Sequence, residues 1–191
     1  MKSLNQYISE KLVLTKKLNK HTPKTRDELI KLVKQLIDER GNEANLNDID
    51  TSAITDMSHL FWFYKRFNGD ISKWDVSNVT DMSGMFEESD FNGDISEWDV
   101  SKVADMWKMF YKSKFNGDLS NWNMENVEYT TIMFSKSNFT GENGDISKWK
   151  FKKLLSAYGM FDPEKLSEND DLLDKAIDAW NLPDDIIDAM Y

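Results

Sequence analysis

Apolar side chains return along residues 68–139 at a fixed interval of 24 residues. Segments 68–91, 92–115 and 116–139 each open on Asn-Gly-Asp and close on Phe. Counting from the Asn, position 4 is Ile71, Ile95 and Leu119, and position 7 is Trp74, Trp98 and Trp122. Position 12 is Val79, Val103 and Val127, and position 18 is Met85, Met109 and Met133. Position 19 is Phe86, Phe110 and Phe134; the last is Phe91, Phe115 and Phe139. Segment 43–67 fits the phase with one extra residue, through Leu46, Ile49, Ile54, Met57, Leu60, Phe61 and Phe67. After an insertion at 140–142 the pattern restarts at Asn143 and runs to Phe161. A period of this length marks a repeat array. Stacking the units turns each recurring residue into a shared column that a single unit could not bury alone.

Within a unit, Asn-Gly-Asp predicts a turn, since Asn and Gly accept positive φ and Asp bonds to its own backbone. Ile-Ser-x-Trp-Asp-Val alternates roughly as a short strand does. Asp56, Asp81 or Asp105 is then placed as an N-cap, and Met and Phe at positions 15, 18 and 19 have the i, i+3, i+4 spacing of one helix face. The expected fold is an α/β repeat solenoid of leucine-rich-repeat type, with about five 24-residue coils and helical caps at both ends. At a strand spacing of about 4.8 Å the coils would span about 24 Å.

The flanks read as helices. Residues 3–18 place Leu4, Tyr7, Ile8, Leu12 and Leu14 roughly on one side, as a docking segment; its opening is similar to short leaders on some tailed-phage proteins. Pro23 marks a linker. Residues 25–40 carry a capping box, Thr25 with Glu28, a stripe of Leu29, Ile30, Val33, Leu36 and Ile37, and a stop at Gly41. This helix is expected to close the first coil; a partner-binding helix is the alternative. Beyond Asp162-Pro163, Ser167 should cap a helix through Leu172, Leu173, Ala176, Ile177 and Trp180, and Pro183 should start a last one over 184–190. The organisation is then 1–42, an N-terminal helical segment and cap; 43–161, the repeats; and 162–191, an acidic helical cap. Capped at both ends, the array reads as a finished small protein.

The motif N-G-D-I-S-x-W-D-V-S-x-V-x-D-M-x-x-M-F resembles the BspA-like surface-protein repeat, a divergent leucine-rich repeat, over residues 43–161. That resemblance implies a scaffold for protein binding or adhesion and no catalysis.

Composition changes the picture in three ways. The chain has no Cys, which removes disulfides and thiolate metal sites. No signal peptide and no run of 18 apolar residues is visible, so no membrane span is expected, and a cytoplasmic or virion-associated location is the simpler reading. The net charge of −10 is uneven. Residues 1–42 carry ten basic and five acidic side chains, 43–161 twelve and nineteen, and 162–191 two and ten. So acidic a chain is a poor nucleic-acid binder. Its basic front and acidic tail leave head-to-tail self-association open beside the plainer reading of solvated helix faces.

Candidate chemistry is thin. Asp70, Asp94, Asp118 and Asp145 at position 3, with Asp75 and Asp99 at position 8, form columns that could hold Ca²⁺, but each Asp also sits where a turn uses it. His21 and His59 stand without the companions a catalytic site needs. No catalytic residue, cofactor site or metal site is therefore assigned. The departures from the repeat are the candidates: Trp62, Phe63, Tyr64 and Arg66 in the first coil, and Trp107 and Tyr111 in the third. Either Trp62 and Phe63 pack under the N-terminal helix, or the six form a binding surface of aromatic rings and Arg. The expected function is a non-catalytic protein-protein interaction module with an unidentified protein partner, a phage accessory or virion protein being its specific form. A surface adhesin or glycan binder, and an acidic decoy of nucleic acid, are the alternatives.

Overall fold

A computed structural model describes residues 21–161 and 170–190, together with Ser3 and Gln6. The helix expected over 3–18 and the cap expected at Ser167 lie outside the described residues, Ser3 and Gln6 apart.

The repeats do lie against one another, but not as an α/β solenoid. Among the described residues the coils hold no strand and no α-helix, only isolated parallel bridges such as Asp56 to Asp81, Asp81 to Asp105 and Asp105 to Tyr129. The described helices are α1, Arg26–Arg40; α2, Asp170–Trp180; and α3, Asp184–Asp188, with one 3-10 turn at Ile146–Lys148. The leucine-rich-repeat expectation falls with the missing strands.

Consecutive turns replace both expected elements. Asp70 Oδ1 accepts from the Ser72 N–H at 3.0 Å, and Trp74 N–H closes on Ile71 O at 3.1 Å. Asp75 does the same for Ser77, and Val79 N–H closes on Val76 O at 2.9 Å. The alternation read as a strand is thus two side-chain-locked turns in series. In the second half of the unit, Gly84 and Glu88 have φ of 59° and 55°. They occupy the third place of turns closed by Met85 N–H on Met82 O and Ser89 N–H on Phe86 O. Residues at those places recur with positive φ: Lys108 and Lys112 one coil on, Ile132 and Lys136 the next. A right-handed helix cannot pass through them.

The intervening amides do the joining. Met82, Gly84, Phe86 and Glu88 donate to the carbonyls of Asp105, Trp107, Met109 and Tyr111 at 2.7–2.9 Å. Met106, Lys108, Phe110 and Lys112 repeat this one coil further. Alternate N–H groups therefore serve the turn and the neighbour, which satisfies the backbone without a strand.

Side chains facing inward form the columns. Phe61, Phe86, Phe110, Phe134 and Phe161 stack face to face with centroids 5.4–5.7 Å apart. Each Trp indole reaches one coil back: Trp74 to Leu46 O, Trp98 to Ile71 O, Trp122 to Ile95 O and Trp149 to Leu119 O, at 2.9–3.3 Å. Trp180 of α2 continues this column, 2.8 Å from Ile146 O and stacked on Trp149 at 5.7 Å. Gly159 N–H meets Ala189 O at 2.7 Å, so the segment after α3 also prolongs the backbone ladder. At the other end Leu29, Val33, Leu36 and Ile37 of α1 are buried. Arg26 Nε donates to Ser58 O at 2.7 Å and Arg40 grips Asp48 through two bonds of 2.8–2.9 Å, pinning α1 to the first coil.

Candidate functional site

The turn ladder sends residues 16, 17, 20 and 21 of each unit outward, and there the coils differ. The first coil presents Ser58, His59, Trp62 and Phe63; the second Ser83, Gly84, Glu87 and Glu88; the third Trp107, Lys108, Tyr111 and Lys112.

Trp62 is 56% exposed and Phe63 58%, so neither packs under α1. Trp107 is 36% exposed, Tyr64 and Tyr111 are half-buried, and Arg66 is exposed. His59 links the two indoles. Its ring meets Trp62 edge-on at 6.3 Å and Trp107 edge-on at 6.4 Å. Gly84 makes room: a Cβ there would come within 2.3 Å of the imidazole. A hollow of about 370 Å³ opens beside His59, Trp62 and Glu87.

Charge runs through the same cluster. Glu87, nearly buried, lies 3.6 Å from His59 Nδ1 and 3.5 Å from Lys108 Nζ. Lys108 Nζ also stands 4.5 Å over Trp107 and 5.2 Å over Tyr111. Lys112 Nζ, 4.9 Å over Tyr111, pairs with Glu88 at 3.4 Å, and the hydrogen bond to Glu88 raises the Lys112 ammonium above its ordinary range. Cation–π contacts of this kind hold both partners in place, so the rings are presented in fixed orientations.

All six sequence-chosen residues border this cluster or the adjoining groove against α1: Trp62, Trp107 and Tyr111 the cluster, and Trp62, Phe63, Tyr64 and Arg66 the groove. Sequence reading missed His59, Glu87 and Lys108 as the parts that hold the rings; the signal available was Gly84, a small residue between His59 and Lys108 in the same slot. It also missed exposed Tyr129, Leu155 and Tyr158 of the last two coils, of which Tyr158 holds the position equivalent to Trp107.

The Asp columns serve the turns. Asp94 and Asp118 accept from the N–H of Ser96 and Ser120 at 2.8–3.0 Å. Among the described residues no group of three or more His, Asp or Glu could hold a metal ion, and no helix is long and apolar enough to cross a membrane.

The family model described as Mycoplasma protein of unknown function, DUF285, matches residues 31–143 and 112–184. The chain belongs to this family. The two matched spans of DUF285 overlap over 112–143, as one model does when laid twice along a repeating chain. No curated protein and no solved structure matches. The aromatic surface of this DUF285 chain is therefore read from its own chemistry.

Proposed function

We propose that this chain is a non-catalytic protein-binding module whose contact surface is the outward side of its first three coils. The exposure of Trp62, Phe63 and Trp107 carries the reading. Five of the seven Trp are buried, and Phe63 is the one exposed Phe of eleven, Phe151 being half-buried. Rigid aromatic rings interleaved with paired charges are what binding hot spots are made of. The similarity of the repeat motif to BspA-like surface-protein repeats supports the same reading, since such scaffolds are associated with protein binding and adhesion.

Photo-crosslinking tests it. A benzophenone side chain placed at position 107 should give discrete adducts in extracts of the native host, and one at exposed Glu97 should not. Adducts absent at 107, or equal at both positions, would overturn the reading.

A further inference from the structure

We propose that the groove between α1 and residues 62–67 binds a short acidic peptide segment through one apolar anchor side chain and a carboxylate held by Arg66. This rests on the reading of the chain as a protein-binding module and names the partner's chemistry.

The groove is an open trough of about 580 Å³, within the range that takes a few side chains. Its floor is set before any partner arrives. Phe67 is fully buried and Ile37 nearly so, and Tyr64 is fixed edge-on to Phe61 and Phe67 at 5.7 and 6.5 Å. The rim is apolar and held in place. Phe63 keeps φ at 63° while its N–H bonds to Glu87 O at 2.9 Å, and Trp62 stacks obliquely on it at 6.4 Å. A preorganised apolar slot loses little entropy on binding.

Charge selects the occupant. The chain carries −10 overall, yet this groove is lined by Lys34, Lys65 and Arg66 against Asp38. Lys34 is paired with Asp38 at 2.9 Å, and Lys65 reaches Glu88 at 3.6 Å while standing 4.8 Å over Phe63. Arg66 is exposed and makes no hydrogen bond or ion pair with any described residue. A guanidinium is a planar fork that fits a carboxylate with two bonds. The missing complement is thus an Asp or Glu beside an apolar anchor. The net negative charge of residues 43–161 and 162–191 disfavours such a peptide over much of the remaining surface, which favours this groove.

The test is to pan a displayed random dodecapeptide library on the immobilised chain, then measure a labelled synthetic copy of the recovered sequence by fluorescence anisotropy. Recovered peptides should share an aromatic or branched aliphatic residue with Asp or Glu within a few positions. Arg66→Glu should weaken binding by about tenfold or more, Arg66→Lys by less, and Phe63→Ala by about tenfold. Affinity should fall as salt rises, and the melting temperature of Arg66→Glu should stay at the parent value. Recovery of basic or uncharged peptides, recovery of none, or equal affinity for Arg66→Glu would each overturn the proposal. If Arg66→Glu binds the peptide unchanged while crosslinking at position 107 persists, the groove assignment fails and the wider reading stands. Loss of crosslinking with retained, Arg66-dependent peptide binding has the reverse meaning.

Discussion

The inward and outward sides of the same turns obey different rules. Inward, Phe86, Phe110 and Phe134 are interchangeable, because each must stack on its neighbour at about one coil spacing and leave no void. Outward, the equivalent slots hold Trp62, Glu87 and Tyr111, three unlike side chains on one backbone. The shared hydrogen bonds make the backbone indifferent to what points out, so the outer face is free to carry recognition while the inner face carries stability.

Substitutions that set the two sides against each other should rank accordingly. Phe86→Ala empties a slot touching rings above, below and beside it; a loss of about 3–5 kcal/mol is expected in urea unfolding. Trp122→Phe removes the indole bond to Ile95 O, which keeps only its turn bond from Trp98 N–H, for a loss of about 0.5–1.5 kcal/mol. The left-handed slot at position 17 should show both signs. Gly84→Ala forces a Cβ toward the His59 ring at φ 59° and should cost at least about 1 kcal/mol. Ile132→Gly, at φ 53°, releases strain of about 1 kcal/mol and forfeits only a half-buried side chain; calorimetry should show a small rise in Tm. Trp107→Ala should leave stability within about 0.5 kcal/mol of the parent and abolish partner capture; equal loss of both would make the outer ring structural.

The turn carboxylates set the pH response. Hydrogen bonds from Ser96 to Asp94 and from Ser101 to Asp99 hold both carboxyls below their ordinary range. Their stabilisation is therefore present above about pH 4 and lost as pH falls through the lower folded values. Asp105 runs the other way: burial, which outweighs its bond from Trp107 N–H, raises its carboxyl. Its charge opposes folding at neutral pH, and the penalty fades as pH falls through that raised value. Asp105→Asn keeps the acceptor for Trp107 N–H and should be slightly more stable than the parent near pH 7, with the gain vanishing near pH 4. An unchanged gain across that range would remove burial as the cause.

The columns were legible in the sequence because burial constrains residue type directly: Trp74, Trp98, Trp122 and the position-19 Phe residues are all buried. The secondary structure was not. Met82, Met85 and Phe86 have helix spacing, yet the same three residues face inward from two successive turns. Gly84 and Gly159 at position 17 signalled the left-handed step; Lys108 and Ile132 in the same slot concealed it, since such residues seldom adopt it. The site was partly legible. Trp62 and Trp107 stood out as departures from the repeat. That His59 joins them across Gly84 depends on coils lying in register, which no local pattern reveals.

Exchange of the indole N–H protons with deuterated solvent, followed peak by peak in NMR, tests the division most directly. Trp74, Trp98, Trp122, Trp149 and Trp180 each donate to a carbonyl of the preceding unit, whereas Trp62 and Trp107 face outward. Five slow protons that share one unfolding free energy and two that exchange at once are expected. Seven alike, or five whose rates differ from unit to unit as separate modules would give, contradicts a core shared along the stack.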